Sequence, residues 1–236
     1  RIQSFEQVKQ VTDLAREIGY TTISHDLVFG LPKQNMQDIH ETVNKTLSLK
    51  PEAISLYSYA HVPWVKGTGQ RGFSEEDLPS GEEKRKLYEY AKQTLINQGY
   101  VEIGMDHFAL PNEELAIAMK EGRLNRTFMG YTSSNTDRSI GLGASAISEY
   151  GFGYAQNVKS VKEYHERIKN NELPVFKGHI HSPLDKALKK HILNLMCNFE
   201  TSFCDHSLVL NQVNKFTKEI KSFEEDGILE RKGDRI

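Results

Sequence analysis

Cysteine is scarce in this sequence. Cys197 and Cys204 are the only two among 236 residues. Their spacing matches no common zinc or redox motif, and a disulfide framework would need more cysteines. We therefore expect a protein of a reducing compartment, the cytoplasm.

Long hydrophobic runs and a strong net charge are also absent. No apolar run approaches the length of a membrane helix and no signal peptide is visible, so we expect no membrane partner. The formal net charge is −2, which creates no field that would attract nucleic acid or an acidic membrane. An anionic ligand would have to be held by local arginines and lysines.

The composition, at 38% hydrophobic and 26% charged residues, can build a core and keep a polar surface. The length suits one large domain, or one domain with a smaller second one. The sequence begins with Arg1 instead of methionine and enters a helical pattern almost at once. We expect a piece excised from a longer protein.

Helical and strand-like patterns alternate over the first 150 residues. Apolar spacing predicts helices at 5–18, 36–47 and 81–98, the second capped by Asn35 and the third by a capping box of Ser80 and Glu83. A short helix is predicted from Asn112 to about Gly122. Apolar and β-branched runs predict strands at 21–29, 53–59, 100–103 and 140–147. This alternation indicates an α/β fold with parallel strands, either a partial barrel or a doubly wound sheet.

The pattern changes after about residue 160. Helices are predicted near 160–169, 182–197 and 211–225, and residues 227–234 have the pattern of a strand and turn. We therefore predict a partial barrel over 1–155 and a mostly helical C-terminal domain over 156–236, with a winged-helix-like end.

Polar residues follow the predicted strands, where parallel sheets bind their ligands. Asp26 could accept hydrogen bonds from ligand hydroxyls or cap a turn amide. His61 and His107 could move protons or bind a carboxylate, although a single histidine is more often structural. Asp106 precedes His107. We expect these strand ends to converge on one pocket.

Other patterns are less specific. The glycines of 141–145 lack a dinucleotide fingerprint and are interpreted as sites of close backbone approach. His179 and His181 share one face of an extended segment, without further metal ligands, and are interpreted as solvated. Tyr57 is interpreted as core packing.

Segment 123–138 contains three arginines among aromatic and small polar residues. Arginine forks bind carboxylates and aromatic rings give flat apolar contact, so the segment suits a flat, carboxylated ligand. A mobile surface loop is the alternative. The residues concerned are Arg123, Arg126, Phe128, Tyr131 and Arg138.

Seven sequence blocks, in order along the chain, together resemble the oxygen-independent coproporphyrinogen III oxidases, a radical S-adenosylmethionine (SAM) family of haem biosynthesis. They are DLVFGLPKQ (26–34), YAHVP (59–63), GMDHFALP (104–111), NRTFMGYTS (125–133), GLGASAIS (141–148), YAQN (154–157) and MCNF (196–199).

The resemblance implies a partial (β/α)₆ TIM-like barrel, of which this chain would supply the second half, followed by a mostly helical domain. It implies oxidative decarboxylation of two propionates of coproporphyrinogen III to vinyls. A 4Fe-4S cluster would cleave SAM reductively, and the 5′-deoxyadenosyl radical would remove a propionate hydrogen. An electron donor and an electron acceptor, both unidentified, complete the implied partners.

The resemblance also implies site residues. By position, Arg1 would hold SAM, Asp26 would lie near its ribose, and Ala60 and Ile147 would line its adenine end. Phe128 and Met129 fall on a phenylalanine–glutamine pair near the substrate. His107 and Arg126, whose chemistry suits a carboxylate, complete the predicted substrate contacts. No catalytic residue and no metal ligand is assigned.

The sequence departs from the family in several places. The CxxxCxxC cluster motif and the glycine-rich SAM motif are absent, and Cys197 and Cys204 cannot replace the former. This chain by itself is therefore not expected to cleave SAM. Met129 stands where the family has glutamine, and Leu110 where it usually has arginine.

Two other functions stay open at this point. A haem-binding chaperone of the same fold would lack decarboxylase activity. An aldolase-like barrel would need a Schiff-base lysine deep in the barrel, whereas Lys33 lies just past a turn.

Overall fold

The protein consists of two compact units, Arg1–Lys120 and Glu121–Ile236. A computed structural model describes residues 3–65, 70–136, 138–203, 209 and 217–236. In the first unit the described elements are α1 (Phe5–Glu17), β1 (Ser24–Phe29), α2 (Met36–Ser48), β2 (Ala53–Ser58), α3 (Gly81–Asn97), β3 (Val101–Gly104), β4 (His107–Ala109) and α4 (Glu114–Lys120), with 3₁₀ turns at Gln70–Gly72 and Glu75–Asp77.

The helix starts follow from local side-chain chemistry. Ser4, Asn35 and Ser80 each accept a hydrogen bond from a backbone N–H of the first turn, and the side chain at the third helical position accepts one from the backbone N–H of the cap residue. Such capping boxes satisfy amides that have no partner inside the helix. The predicted caps Asn35 and Ser80 are confirmed.

The four-stranded sheet has the order β1-β2-β4-β3. Only β1 and β2 are parallel, while β4 runs antiparallel to both β2 and β3. The predicted third strand, β3, does run in the same direction as β1 and β2, but the all-parallel prediction is wrong because the unpredicted strand β4 lies antiparallel between β2 and β3. The chain reverses at Met105–Asp106, where Gly104 and Met105 adopt φ of 142° and 38°, and this folds 101–109 into a hairpin.

One face of this sheet packs on α2 and α3. The predicted inward residues Leu87, Ala91 and Leu95 are all buried, as the helical spacing requires. Apolar burial on this one face leaves the opposite face of the sheet for polar groups. The core residues that meet here are Phe29, Ile39, Val43, Ile54, Leu56, Leu87, Ala91, Leu95, Tyr100 and Phe108.

The second unit contains more β-strands than were predicted from its sequence. Its described elements are β5 (Asn125–Thr127), β6 (Gly130–Thr132), β7 (Ile147–Tyr150), β8 (Gly153–Asn157), α5 (Val161–Lys169), β9 (Val175–Ile180), α6 (Pro183–Asn198) and α7 (Thr217–Glu225). Strands β5 and β6 form a hairpin, and β7-β8-β9 form an antiparallel sheet.

Several expectations for this unit need correction. The strand predicted at 140–147 starts only at Ile147. Residues 227–234 form no strand; a tight turn with an isolated bridge between Lys232 and Arg235 follows α7. The start of the helix predicted at 211–225 lies outside the described residues. The domain division after residue 155 stays a prediction, and that residue lies inside β8, which is hydrogen bonded on both sides.

The architecture is therefore a mixed α/β fold built of small sheets, and among the described strands none closes into a barrel. In the described ranges no helix is both long and apolar enough to cross a membrane.

His25 links α1 to the sheet and generates a first prediction. Its Nε2 lies 3.0 Å from Oγ1 of the buried Thr12. Burial, followed by the charge of Arg16, lowers the pKa of His25 from 6.5. The folded state then binds fewer protons than the unfolded state just below pH 6.5. Stability is complete above that pH and falls as the pH drops through the lowered pKa.

We expect His25→Gln to remove this acid-dependent loss of stability, measured as the free energy of unfolding in urea between pH 7 and pH 4.5. His165→Gln, at an exposed position of α5, is the control and should leave the pH profile unchanged. Equal profiles for His25→Gln and the unsubstituted protein would contradict the assignment.

The outer surface of α1 generates a second prediction. Val11, Leu14 and Ile18 are each more than half exposed, and β1 lies at the edge of its sheet. Exposed apolar surface beside an open strand edge favours association. We expect this chain by itself to self-associate, and the triple change of these residues to serine to give a monomer in light scattering.

The matched control changes three exposed apolar residues of the second unit, Ile140, Val161 and Leu173, to serine, and should not restore the monomer. A clean monomer of the unsubstituted chain at high concentration would refute the prediction.

Candidate functional site

Three polar residues form a row across the first-unit sheet. The strand register pairs Asp26 with Ser55, and Ser55 with His107. Directly paired residues project to the same face of a sheet, and here that face is opposite α2 and α3. The side chain of Asp26 is exposed, that of Ser55 is buried and that of His107 is partly buried. The row therefore presents a carboxylate, a hydroxyl and an imidazole side by side.

Tyr57 borders this row. Its ring meets that of His107 edge-on, with centroids 6.0 Å apart and an interplanar angle of 86°. It is 40% exposed, so the interpretation of Tyr57 as core packing is wrong. With the exposed Val28 it adds apolar surface to the polar row, an arrangement that suits an organic ligand with hydroxyl or carboxyl groups.

Asp26 lies in the middle of β1, not at its end. Its carboxylate accepts no hydrogen bond from the described residues, so it caps no turn amide there. The following turn is held instead by Gln34, whose Oε1 accepts from the amides of Gly30 and Leu31 at 2.7 and 3.2 Å. The carboxylate of Asp26 is thus available as an acceptor.

The ends of β1 and β2 are joined through Lys84. Its stem crosses Gly30, where an added Cβ would lie 2.6 Å from Cε of Lys84. Its ammonium donates to the carbonyl of Tyr59 at 2.7 Å. Glycine at position 30 is favoured by its backbone φ of 76°, and a larger residue there would also displace the stem of Lys84.

Ala60, the next residue, is exposed. Its carbonyl accepts from Nε2 of Gln70 at 3.2 Å, and Oε1 of the same Gln70 accepts from Val62 N–H at 2.5 Å. The ring of His61 lies 3.4 Å from the hydroxyl of Tyr59, which favours a structural role for that histidine.

Asp106 does not join the row. It lies beside Phe29, Lys84 and Tyr88 on the helix-facing side, whereas its neighbour His107 contacts Tyr57 on the other face. Burial raises the pKa of Asp106, although the nearby His107 acts in the opposite direction. The expected convergence of Asp106 with Asp26 is wrong, because successive residues of a hairpin point to opposite faces.

Ile147 begins β7 in the second unit, where a glycine loop precedes it. An added Cβ on Gly141 would lie 2.6 Å from the Ile147 carbonyl oxygen, which confirms the predicted close approach. Asn157 Nδ2 donates to the carbonyls of Gly141 and Gly143 at 3.1 and 2.9 Å. This contact explains why the GLGASAIS and YAQN blocks occur together.

The β5–β6 hairpin carries the predicted substrate residues. Phe128 and Met129 form its two-residue turn and are 70% and 89% exposed. The guanidinium carbon of Arg126 lies 4.6 Å from the ring centroid of Tyr131, whose hydroxyl donates to the carbonyl of Met196 at 2.7 Å. The hairpin is thereby fixed to α6.

Each unit thus gathers its own subset of the predicted site residues. Asp26 and His107 share a sheet face in the first, with Ala60 after β2. Arg126, Phe128 and Met129 share one hairpin in the second. Arg1 and Cys204 lie outside the described residues.

The described residues do not fit an iron–sulfur cluster. Cys197 is the one cysteine among them; it is buried, and burial raises its pKa, whereas cluster ligands are thiolates. In the described part of the chain no group of three or more His, Cys, Asp or Glu side chains is arranged to hold a metal ion.

Sequence reasoning missed Ser55 in the first unit and Tyr154 and Lys189 in the second. Lys189 pairs with Glu149 and lies 5.6 Å above the Tyr154 ring. Burial acts to lower its pKa, yet the hydrogen bond to Glu149 and the nearby Tyr154 leave it raised. The Nε2 of His179 also lies 3.0 Å from a carboxylate oxygen of Asp185, so His179 has a protein partner that the interpretation as a solvated residue did not include. The sequence signal available for this sheet face was the alternation of His179 and His181 along the chain.

No family model matches the chain. Curated proteins named oxygen-independent coproporphyrinogen III oxidase do. The one from Paracoccus denitrificans is 40% identical over 85% of this chain and 44% of its own length. The one from Synechocystis is 37% identical over 100% of this chain and 52% of its own length. This chain spans about half the length of these curated relatives.

A solved structure is also similar. Coproporphyrinogen III oxidase from Escherichia coli, described as a radical SAM enzyme, matches with a TM-score of 0.88 and 33% identity over 100% of this chain and 55% of its own. The resemblance carried by the sequence blocks is confirmed. Over nearly its whole length, this chain is homologous to a segment that makes up about half the length of each oxygen-independent coproporphyrinogen III oxidase that it matches.

Proposed function

We propose that this chain forms part of an oxygen-independent coproporphyrinogen III oxidase, which converts two propionates of coproporphyrinogen III to vinyl groups by oxidative decarboxylation. The observation that carries the proposal is the structural match, which extends over the entire chain. The row of Asp26, Ser55 and His107 supports it, because a rigid sheet face can hold a cofactor and a substrate in fixed positions.

SAM, once bound and reductively cleaved, supplies a radical that can remove a hydrogen atom from a propionate. The exposed carboxylate of Asp26 fits this cofactor, since it can accept hydrogen bonds from ribose hydroxyls. The small side chain of Ala60 leaves room for a flat ring. The contact of Ile147 with the adenine stays a prediction from the resemblance, as does that of Arg1.

The described residues supply no ligands for the 4Fe-4S cluster that such an enzyme needs. The electron donor and the electron acceptor are further partners of the proposed enzyme.

On the substrate side, the chain offers two groups for carboxylates. His107 presents an imidazole beside the apolar surface of Tyr57 and Val28, and Arg126 presents a guanidinium held by Tyr131. Phe128 and Met129 add exposed apolar surface at the hairpin turn. Met129 supplies no amide, so a polar contact from this position is replaced by an apolar one.

The proposal is tested with the full-length protein, purified anaerobically and assayed with a reductant, SAM and coproporphyrinogen III. We expect a product with two vinyl groups and the release of two molecules of carbon dioxide, measured by mass spectrometry. Tight haem binding without any vinyl product would overturn the proposal and favour a chaperone of the same fold.

Asp26 provides a sharper test. We expect Asp26→Asn to weaken SAM binding about 10- to 100-fold, because hydrogen bonds to a charged group contribute about 1.5–3 kcal/mol. SAM affinity is measured by isothermal titration and the rate by vinyl formation. Glu17→Gln, an exposed position at the end of α1, removes the same charge and should change neither. Unchanged SAM affinity in Asp26→Asn would contradict the role of Asp26.

A further inference from the structure

Lys84 contacts a backbone group where a neighbouring lysine of α3 contacts an acid. Lys86, two residues further on, pairs with Glu82 across one turn of the helix. The ammonium of Lys84 pairs with no carboxylate among the described residues and instead donates to the carbonyl of Tyr59 at 2.7 Å. A charged donor is thus directed at a neutral peptide group, immediately after the end of β2.

The stability of α3 does not explain a lysine at this position. Lys84 lies in the first turn of the helix, where the helix dipole favours acids and disfavours cations. Glu82 and Glu83 meet that preference. The side chain of Lys84 is also partly buried, and ordering a long side chain costs rotamer entropy. The contact with Tyr59 is therefore the feature that accounts for Lys84.

Both backbone polar groups of Tyr59 are held. Its N–H donates to the carbonyl of Phe29 at 2.8 Å, at the end of β1, and its carbonyl accepts from Lys84. The described peptide bonds are all trans, and in a trans peptide the carbonyl and the N–H point in opposite directions. The N–H of Ala60, which belongs to the same peptide as the Tyr59 carbonyl, is therefore directed away from the ammonium of Lys84.

This N–H is available to a ligand. Ala60 is exposed, and in the described part of the chain its N–H has no acceptor. The segment that follows is fixed as well, because Gln70 Nε2 donates to the carbonyl of Ala60 and Arg71 Nε to that of Pro63, both at 3.2 Å. A donor whose direction is fixed before a ligand arrives loses less entropy on binding.

The charge of Lys84 also strengthens this donor. A hydrogen bond from a cation to a carbonyl polarises the peptide, and linked hydrogen bonds reinforce one another. The small side chain of Ala60 lets a flat ring approach the N–H. An unprotonated nitrogen of an aromatic ring is an acceptor of that shape, because its lone pair lies in the plane of the ring.

We propose that Lys84 is a positioning residue for the cofactor of the proposed enzyme. By holding the carbonyl of Tyr59, it directs the N–H of Ala60 to a ring nitrogen of the bound adenine, and that N–H donates to the nitrogen. Lys84 acts through the peptide and does not itself contact the cofactor. The identity of the base rests on the proposed function, whereas the direction and the availability of the N–H follow from the contacts of Lys84.

The test measures binding of S-adenosylhomocysteine to the full-length protein by isothermal titration, together with its 1-deaza, 3-deaza and 7-deaza analogues, in each of which one ring nitrogen is replaced by a C–H group. We expect one analogue to bind about 3- to 10-fold more weakly than S-adenosylhomocysteine, because the N–H of Ala60 loses its acceptor. Lys84→Met keeps an unbranched stem beside Gly30 and removes the ammonium. It should weaken binding of S-adenosylhomocysteine about 3- to 10-fold and no longer distinguish that analogue.

Two further variants separate positioning from a general loss of stability, which would weaken all four ligands alike. Lys86→Met removes the same charge from an exposed position of α3 and should change neither the affinity nor the discrimination between analogues. Lys84→Arg returns a cationic donor and should recover the discrimination. The comparison of analogues in the unsubstituted protein needs no variant, so it tests the N–H of Ala60 even where Lys84→Met does not fold.

Equal binding of all the analogues to the unsubstituted protein would overturn the proposal, as would the same discrimination in Lys84→Met as in the unsubstituted protein. The two proposals also fail separately. Vinyl formation together with unchanged discrimination in Lys84→Met would refute the role of Lys84 and leave the oxidase intact. Discrimination that depends on Lys84, without any vinyl product, would refute the oxidase and leave an adenosyl-binding site. Failure to bind S-adenosylhomocysteine at all would contradict both.

Discussion

The packing of one sheet face on α2 and α3 is the constraint on which the first-unit site depends. Leu27, Phe29, Ile54 and Leu56 meet the helices, and the alternation of side chains along a strand then sends Asp26, Ser55 and Tyr57 to the other face. A shift of one residue in the register would bury the carboxylate of Asp26 and expose the core. The packing of the hydrophobic core therefore determines which face of the sheet carries Asp26, Ser55 and His107.

Side-chain amides fix the loops that border these elements. Gln34 holds the turn after β1, Gln70 holds the segment after β2, and Asn157 holds the glycine loop before β7. A primary amide carries donors and acceptors together, so one side chain can satisfy several backbone groups of an irregular loop. These contacts give a physical reason for the Gln34 and Asn157 positions in the sequence blocks, without requiring either residue to touch a ligand.

Structural features that depend on local sequence signals were predicted correctly, whereas features that depend on contacts between residues far apart in the sequence were missed. Helices α1 to α6 were predicted because spacing, caps and turn residues are local signals. Strand β4 was missed, since its three residues, His107–Ala109, are too few to show an apolar alternation and follow directly on the turn after β3. Strand β9 was missed because every residue of Val175–Ile180 is exposed, so it lacks the apolar alternation that marks a strand.

The same division holds for the candidate site. Asp26 was found because an acid inside an apolar strand is unusual, whereas Ser55 escaped notice because a small hydroxyl is compatible with a core. Phe128 and Met129 were placed by resemblance, and their exposure at a hairpin turn could not be deduced from composition.

The near-neutral net charge has a consequence for how an anion would be held. A protein of formal charge −2 exerts little long-range attraction on a carboxylate, so binding must come from short contacts. A partly buried guanidinium is suited to this, because the interaction of opposite charges strengthens as water is excluded and is then screened less by salt. The stacking of Arg126 on Tyr131 fixes the guanidinium before any ligand arrives, which lowers the entropy lost on binding. A neutral surface with one preorganised arginine thus favours selection by shape and hydrogen-bond geometry over selection by charge alone.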